Sequence, residues 1–351
     1  MKRIGIIGRV ADGAELYDGQ TVTTRLLRDA FIKALPEGGV FCTDTYDYKH
    51  HAATCLSRAV KCMFLSTHIC ILLSRNGLTF FLPFLYYLNK VFRRKLYHRV
   101  IGGSLDQLVE EHPRWVKYLN AFEVNWVELP SLKENLHKLC IKNAEVSPTF
   151  RNSGILALEE LPRFDHAPFM LCTFSRVTKA KGIPEAIKAV VAVNQKLGTG
   201  TVRLHIYGPI EDAYAGDFKR LLAECGADVE YKGCVPYQDS VATLKSYYLH
   251  LFPTTWQGEG FPGTLTDCFC AGLPTIATDW KYNKEILSEG ETGFCYDWHR
   301  PERLAELIAH AVQNPGEIQE MKKRCLLEAE KYQPDVIMRG ILDFMGVMPC
   351  R

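Results

Sequence analysis

The stretch Trp256-Gln257-Gly258-Glu259-Gly260-Phe261-Pro262-Gly263-Thr264-Leu265-Thr266-Asp267-Cys268-Phe269-Cys270-Ala271-Gly272-Leu273-Pro274 decides how this chain reads. An apolar run ending at Phe252-Pro253 comes before it, and a second apolar run follows at 273–277. A glycine-rich loop between a strand and a helix leaves the helix's first amides without carbonyl partners, at the positive end of its dipole. The amides near Gly263, Thr264 and Leu265 are therefore expected to face an anion. Glu259 lies in the loop and Asp267 eight positions on, about one turn into the helix. Both carboxylates are then expected in one pocket, where they would accept from sugar hydroxyls. Taken alone, a glycine turn with an acid balancing the helix dipole reads equally well.

Working outward, an apolar run at Phe169–Thr173 leads into Phe174-Ser175-Arg176-Val177-Thr178-Lys179-Ala180-Lys181-Gly182. Arg176 and Lys181 bracket a short strand-to-helix loop. As isolated residues they would be solvated charges. In the same domain as an anion-facing loop they make a diphosphate clamp. Apolar runs at 168–173, 202–207, 248–252 and 273–277 alternate with helical periodicity at 182–196, 215–226, 238–246, 264–271 and 300–313. That alternation predicts an α/β fold with a parallel, doubly wound sheet.

The first half opens the same way. A strand at Arg3–Gly8 and an eleven-residue loop, Arg9–Gly19, lead to Val22, Leu26, Leu27, Ala30 and Phe31 at helical spacing. The segment 145–167, with Pro148, Gly154 and Pro162, reads as a linker. Three segments follow: 1–155, 156–333 and a terminal helix, 334–351, expected to return to the first domain.

Of the 351 residues, 47% are hydrophobic and 23% charged, which excludes disordered and fibrous classes. Thirteen cysteines without a Cys-x-x-Cys pair read as reduced thiols, and the opening Met1–Gly8 reads as a strand rather than a signal peptide. A cytoplasmic location is the expectation. The net charge of +2 hides an asymmetry, because Tyr48–Leu105 contains no Asp or Glu but nine Lys or Arg. Those nine are Lys49, Arg58, Lys61, Arg75, Lys90, Arg93, Arg94, Lys95 and Arg99. The rest of the chain carries 33 basic against 40 acidic residues. Within this stretch Cys62–Phe92 is strongly apolar but interrupted at Arg75-Asn76-Gly77, so neither piece reaches the roughly 20 residues of a spanning helix. An aromatic segment, Leu78–Leu88, running into Lys90, Arg93, Arg94 and Lys95 suits an interfacial helix on anionic lipid. A buried core helix ending in a solvated turn is the competing reading. The acid-free background favours the inner membrane surface, through residues 78–99.

Together these elements resemble the retaining glycosyltransferases of family 4, the glycosyl transferases group 1 with the GT-B fold. The first loop with Gly19-Gln20 is similar to that family's N-terminal glycine loop. Arg176 and Lys181 match its Arg–Lys pair, and Glu259 and Asp267 its two acids separated by seven residues. Leu273–Asp279, Glu285 and Thr292-Gly293 fit its closing segment. The resemblance implies two Rossmann-like domains facing across a cleft, and sugar transfer from a nucleotide-activated donor with retention. By that analogy Arg176 and Lys181 neutralise the diphosphate leaving group. Glu259 holds the donor sugar and Asp267 the ribose. Gly260, Phe261, Pro262, Gly263, Thr264 and Leu265 line the donor, while Gly19 and Gln20 form the acceptor or phosphate loop. No Asp-x-Asp occurs, so no metal and no cofactor is expected, the positive clamp taking a metal's place. The expected partners are a nucleotide sugar, with UDP favoured, and a glycan or lipid-linked acceptor of surface polysaccharide assembly, with no nucleic acid.

The family's second acid is usually Glu, and Asp267 is one methylene shorter. Where many members carry a histidine, this chain has Gly103 or Ser104, and nearby His68 and His98 read as surface or core residues. No catalytic base is assigned. A nicotinamide oxidoreductase would need Gly-x-Gly-x-x-Gly after the first strand, where only Gly5 and Gly8 stand. A sugar-nucleotide 2-epimerase and a non-catalytic binding subunit share the fold. The intact Arg176, Lys181 and Glu259 favour transfer over both.

Overall fold

A computed structural model describes residues 3–14, 18–46, 48 and 50–347. The middle of the Arg9–Gly19 loop and Lys49 lie outside the described residues. The chain forms two compact units. One holds the described chain up to Phe150 together with that from Gln333; the other is Arg151–Tyr332.

The first unit is built on six parallel strands: β1 (Ile4–Gly8), β2 (Val40–Asp44), β3 (His68–Leu72), β4 (Lys95–Arg99), β5 (Val124–Val127) and β6 (Ala144–Val146). Their order is β2-β1-β3-β4-β5-β6. Every residue of β1 and β3 is buried, as expected for strands covered on both faces. Helix α1 (Gly19–Ala34) follows β1 and buries Val22, Leu26, Leu27 and Phe31, the residues at helical spacing in the sequence. The apolar run Cys62–Phe92 is three elements rather than two pieces. It comprises the end of α2 (Ala52–Leu65), the buried β3, and α3 (Arg75–Phe92). Arg75-Asn76-Gly77, expected as an interruption, is instead the first turn of α3, preceded by Ser74 as its cap residue. One face of α3 buries Leu78, Phe81, Leu82 and Leu85. The core-helix reading therefore holds for that face, while Phe80, Tyr87 and Val91 stay exposed.

The second unit has its own six parallel strands: β7 (Phe169–Phe174), β8 (Val202–Tyr207), β9 (Val229–Gly233), β10 (Leu249–Phe252), β11 (Thr275–Thr278) and β12 (Gly293–Tyr296). The order β12-β11-β10-β7-β8-β9 is the doubly wound Rossmann arrangement, three strands on each side of a reversal between β7 and β10. The main helices are α4 (Ile183–Leu197), α5 (Gly263–Cys270), α6 (Glu302–Gln313) and α7 (Pro315–Ala329). Helix α4 puts Ile183, Ala186, Ile187, Val190 and Val193 into a core shared with β7, β8 and α6. Helix α8 (Pro334–Met345) belongs to the first unit, where the Phe344 ring stands edge-on to Tyr97 and Trp126.

Two local devices hold the loops that matter. Arg99, at the end of β4 and 1% exposed, donates to the carbonyls of Ser147 (2.6 Å) and Pro148 (2.7 Å), with Glu128 at 3.9 Å. A fully buried guanidinium is tolerable only with such partners. In the second unit Gly182 turns the chain into α4 at φ +74°, and a Cβ there would stand 2.0 Å from the Pro253 carbonyl oxygen. Only glycine lets the loop after β7 lie against the end of β10. Arg99→Met should lower stability by about 3 kcal/mol, through two orphaned carbonyls and the loss of the cation beside Glu128. Gly182→Ala should cost about 2 kcal/mol or more, from the clash and the positive φ. Urea unfolding midpoints would measure both.

Candidate active site

In an open α/β sheet, ligands bind outside the carboxyl ends of the strands where the strand order reverses. Here that point lies between β7 and β10. After β7 the chain runs along the sheet edge, with the Val177 amide donating to the Pro209 carbonyl at 2.9 Å. The Thr178 hydroxyl then accepts from the Lys181 amide (3.2 Å), which folds Lys179–Lys181 into one tight turn. The Thr255 amide donates to the Ala180 carbonyl at 2.8 Å, joining this turn to the loop after β10. The sequence places each polar group early in its loop. The sheet brings the two loops side by side.

Lys181 and Glu259, 78 positions apart, meet across that seam. Lys181 Nζ donates to Glu259 Oε2 at 2.6 Å, and Thr254 Oγ1 donates to the same oxygen at 2.8 Å. The two residues are 9% and 7% exposed, so they form a largely desolvated pair supported by a hydroxyl. Thr254 is itself fixed. It accepts from the Trp256 amide (3.2 Å), and its carbonyl takes the Thr278 hydroxyl (2.5 Å). Arg176 is exposed and stacks its guanidinium 4.6 Å from the centre of the Trp256 ring. The Trp256 carbonyl accepts from the Trp280 indole at 2.8 Å. Arg176, Lys181 and Glu259 thus belong to one connected set, in which Thr254 and Trp256 are the joints. Neither joint stood out in the sequence, because a threonine and a tryptophan beside a glycine loop carry no spacing signal.

Helix α5 follows, and several expectations need correction here. The Leu265 amide, expected to face an anion, donates to the Pro262 carbonyl at 2.9 Å, and its side chain is fully buried. The Phe261 ring packs 5.2 Å from Tyr332, in the interior. The Thr264 hydroxyl donates to the Phe174 carbonyl (2.8 Å), tying the start of α5 to the end of β7. From Gly260 to Leu265, what remains for a ligand is main chain, chiefly the first-turn amides of Gly263 and Thr264. The two acids expected in one pocket are held by different cations. Asp267, 5% exposed, pairs with Arg151, whose Nε lies 3.4 Å from its Oδ1. Burial pushes the Asp267 carboxyl up to about 6, against the pull of Arg151 and Ser240. In the sequence Arg151 falls within the linker 145–167, a lone arginine without a motif.

Gly19 and Gln20 form the first turn of α1 rather than an open loop. The Asp18 carboxylate caps that turn by accepting from the Thr21 amide (3.1 Å) and hydroxyl (2.9 Å), and it pairs with Arg9. Burial opposes its charge, but Arg9 and Thr21 hold its pKa below the ordinary value. The anion at this helix N-terminus is the chain's own. The Gln20 amide donates to the Leu72 carbonyl (3.1 Å), so its side chain joins α1 to β3. His98 is fully buried against Asn125 (3.0 Å), and burial lowers its pKa to about 4. His68 is also buried. Both are core histidines.

Comparison with known proteins bears on the fold and on the second unit. Residues 159–331 match the family model of glycosyl transferases group 1. The GtfA subunit of a UDP-N-acetylglucosamine–peptide N-acetylglucosaminyltransferase from Streptococcus gordonii is 25% identical over 227 residues, which is 62% of this chain and 44% of that protein. The amylovoran biosynthesis glycosyltransferase AmsK of Erwinia amylovora is 24% identical over 220 residues, 59% of this chain and 51% of that one. The chain thus spans about half the length, or less, of the curated relatives it matches. Among solved structures, Anabaena Alr3699/HepE in complex with UDP and glucose aligns over 99% of this chain and 100% of its own, with TM-score 0.74 and 12% identity. That likeness establishes the GT-B fold. The match to the glycosyl transferases group 1 model spans nearly all of the second unit, residues 159–331.

Proposed function

We propose that this protein is a glycosyltransferase that moves a sugar, with retention, from a nucleoside diphosphate donor to a glycan acceptor. The observation that carries the reading is the buried Lys181–Glu259 pair, joined through Thr254 and Trp256 to Arg176, at the strand-order reversal of a group 1 domain. Charge develops most on the departing diphosphate, and Arg176 and Lys181 are the cations at hand to stabilise it. No metal is needed for that role. Glu259 would hold the donor sugar, Asp267 the ribose, and the Gly263 and Thr264 amides the phosphates. A UDP sugar is favoured, in keeping with the UDP named for HepE and the UDP-N-acetylglucosamine named for GtfA.

The acceptor is proposed to be lipid-linked, in assembly of a surface polysaccharide at the inner face of the cytoplasmic membrane. AmsK, by its name, serves amylovoran biosynthesis. Among the described residues no helix is long and apolar enough to cross a membrane. The outward side of α3 suits its surface. Val91 is 77% exposed and Tyr87 55%, with Lys90 Nζ 5.4 Å from the Tyr87 ring centre. Arg94 donates to the Met63 carbonyl (2.9 Å), so the exposed Phe64 at the end of α2 lies beside the end of α3.

The first test is thermal stability with UDP, GDP and ADP, followed by donor consumption and the anomeric configuration of the product by NMR. UDP should raise the melting temperature, and product should form with retention. Nucleotide binding without turnover would instead identify a non-catalytic subunit. Lys181→Ala should reduce turnover at least about hundredfold. It should also destabilise the free protein by about 3 kcal/mol, because Glu259 is left buried and unpaired. For the membrane surface, sedimentation with anionic vesicles at low salt should retain the wild type and lose Val91→Asp, while melting temperature stays unchanged. Equal retention of the two proteins would remove α3 from the contact.

A further inference from the structure

The residue that the proposed chemistry does not use, and that the structure nevertheless builds into the donor side of the second unit, is Arg151. It is 9% exposed, yet its Nε and Nη1 have no hydrogen-bond partner. Asp267 Oδ1, 3.4 Å from that Nε, is likewise buried without one. An arginine has five donors, and leaving buried donors unmade costs free energy. The guanidinium is also seated by the backbone of α5, since a Cβ on Gly263 would fall 1.4 Å from Arg151 Nη2. Glycine at 263 therefore serves a second purpose beside loop geometry: it leaves room for this side chain at the helix's first turn. A buried cation that is held by a glycine vacancy, ion-paired to one acid and short of partners is not accounted for by packing.

We propose that Arg151 is a positioning residue for the donor site, keeping the Asp267 carboxylate ionised and oriented so that it accepts from the ribose hydroxyls of a nucleoside diphosphate. The inference rests on the donor-site reading above, and it supplies what that reading lacks. Aspartate is one methylene shorter than the glutamate usual in the resembling family, so its reach depends more on how its carboxylate is held. Burial opposes ionisation and lifts its pKa to about 6, and Arg151 is the cation that opposes the burial. The other groups around α5 do not supply that charge. Ser240 offers a neutral hydroxyl, and Cys268 is a buried thiol held well above its ordinary pKa. On α7, Lys322 donates to the Tyr247 carbonyl (2.9 Å) and Cys325 to the Thr292 carbonyl (3.6 Å).

The sign of the pH effect follows. Ribose binding through an ionised Asp267 weakens as pH falls through about 6 in the wild type. Without the Arg151 charge that midpoint moves upward. The test compares UDP with 2′,3′-dideoxy-UDP by calorimetry from pH 5 to 9, on wild type, Arg151→Gln and Arg151→Lys. Taking the ratio of the two affinities cancels ionisation of the diphosphate itself. In the wild type UDP should bind more tightly than the dideoxy analogue at pH 7. In Arg151→Gln that advantage should fall at least about tenfold at pH 7 and return by pH 9, while dideoxy-UDP binds as it does to the wild type. Arg151→Lys should restore most of the advantage at pH 7. A variant that had lost its fold would lose both nucleotides at every pH, and would overturn the positioning role in favour of a structural one. An unchanged ratio and pH midpoint in Arg151→Gln would also overturn it, leaving the donor-site reading intact. Failure of UDP to bind the wild type would overturn that reading and this inference together.

Discussion

The ion pair between Lys181 and Glu259 is the interaction on which the second unit's site depends. Two opposite charges with side chains 10% and 8% exposed have given up most of their hydration, and only close contact with further hydrogen bonding offsets that loss. The fold supplies both. Gly182 lets the loop after β7 approach the end of β10, and Thr254 adds a second donor to the carboxylate. The adjacency of β7 and β10 is what makes the approach possible, and it exists because the strand order reverses there.

The pairing also shapes what a bound diphosphate would meet. Lys181 already has a carboxylate on it, so an incoming phosphate must share or replace that contact. Arg176 is the more available cation, exposed and set over the Trp256 face. A stacked arginine keeps its fork of donors free in the ring plane, which an ammonium in an ion pair does not. The two cations are thus unequal, one buried and committed, the other presented to solvent. Asp267 repeats the buried arrangement with Arg151, so Glu259 and Asp267 are each tied to a separate cation.

In the first unit, the acid-free stretch divides between core and surface. The inward faces of α2, β3 and α3 make core. The outward side of α3, with Phe80, Tyr87 and Val91 beside Lys90, is the part left exposed. The missing acids do not leave every basic residue there unpaired, because Arg75 reaches Glu111, which lies outside the stretch (2.5 Å), and Arg94 caps carbonyls at the end of α2. Charge counted along a sequence therefore overstates the field that a surface presents.

Much of the architecture is legible in the residues. Hydrophobic runs alternating with helical periodicity announce parallel α/β units, because buried parallel strands are apolar throughout and need a crossover helix between them. The strands at 169–174 and 202–207 and the helix at 183–197 lie where that rhythm puts them. β9 is harder to see, since its Glu230 and Lys232 are exposed on a sheet edge, and β12 is only four residues long. Arg176, Lys181, Glu259 and Asp267 are visible as types and spacings because they lie in the loops that follow β7 and β10, or, for Asp267, on the helix α5 that the second loop enters. Their partners are not. Thr254, Trp256 and Arg151 have no motif, and whether two acids eight positions apart share a pocket or take separate cations depends on which way each carboxylate points. By itself the sequence determined the local elements and the chemistry available at each strand end, which short-range periodicity and residue type encode. Only the tertiary structure decided which of those groups meet, because Lys181 and Glu259 are 78 positions apart and are joined by strand order, not by spacing.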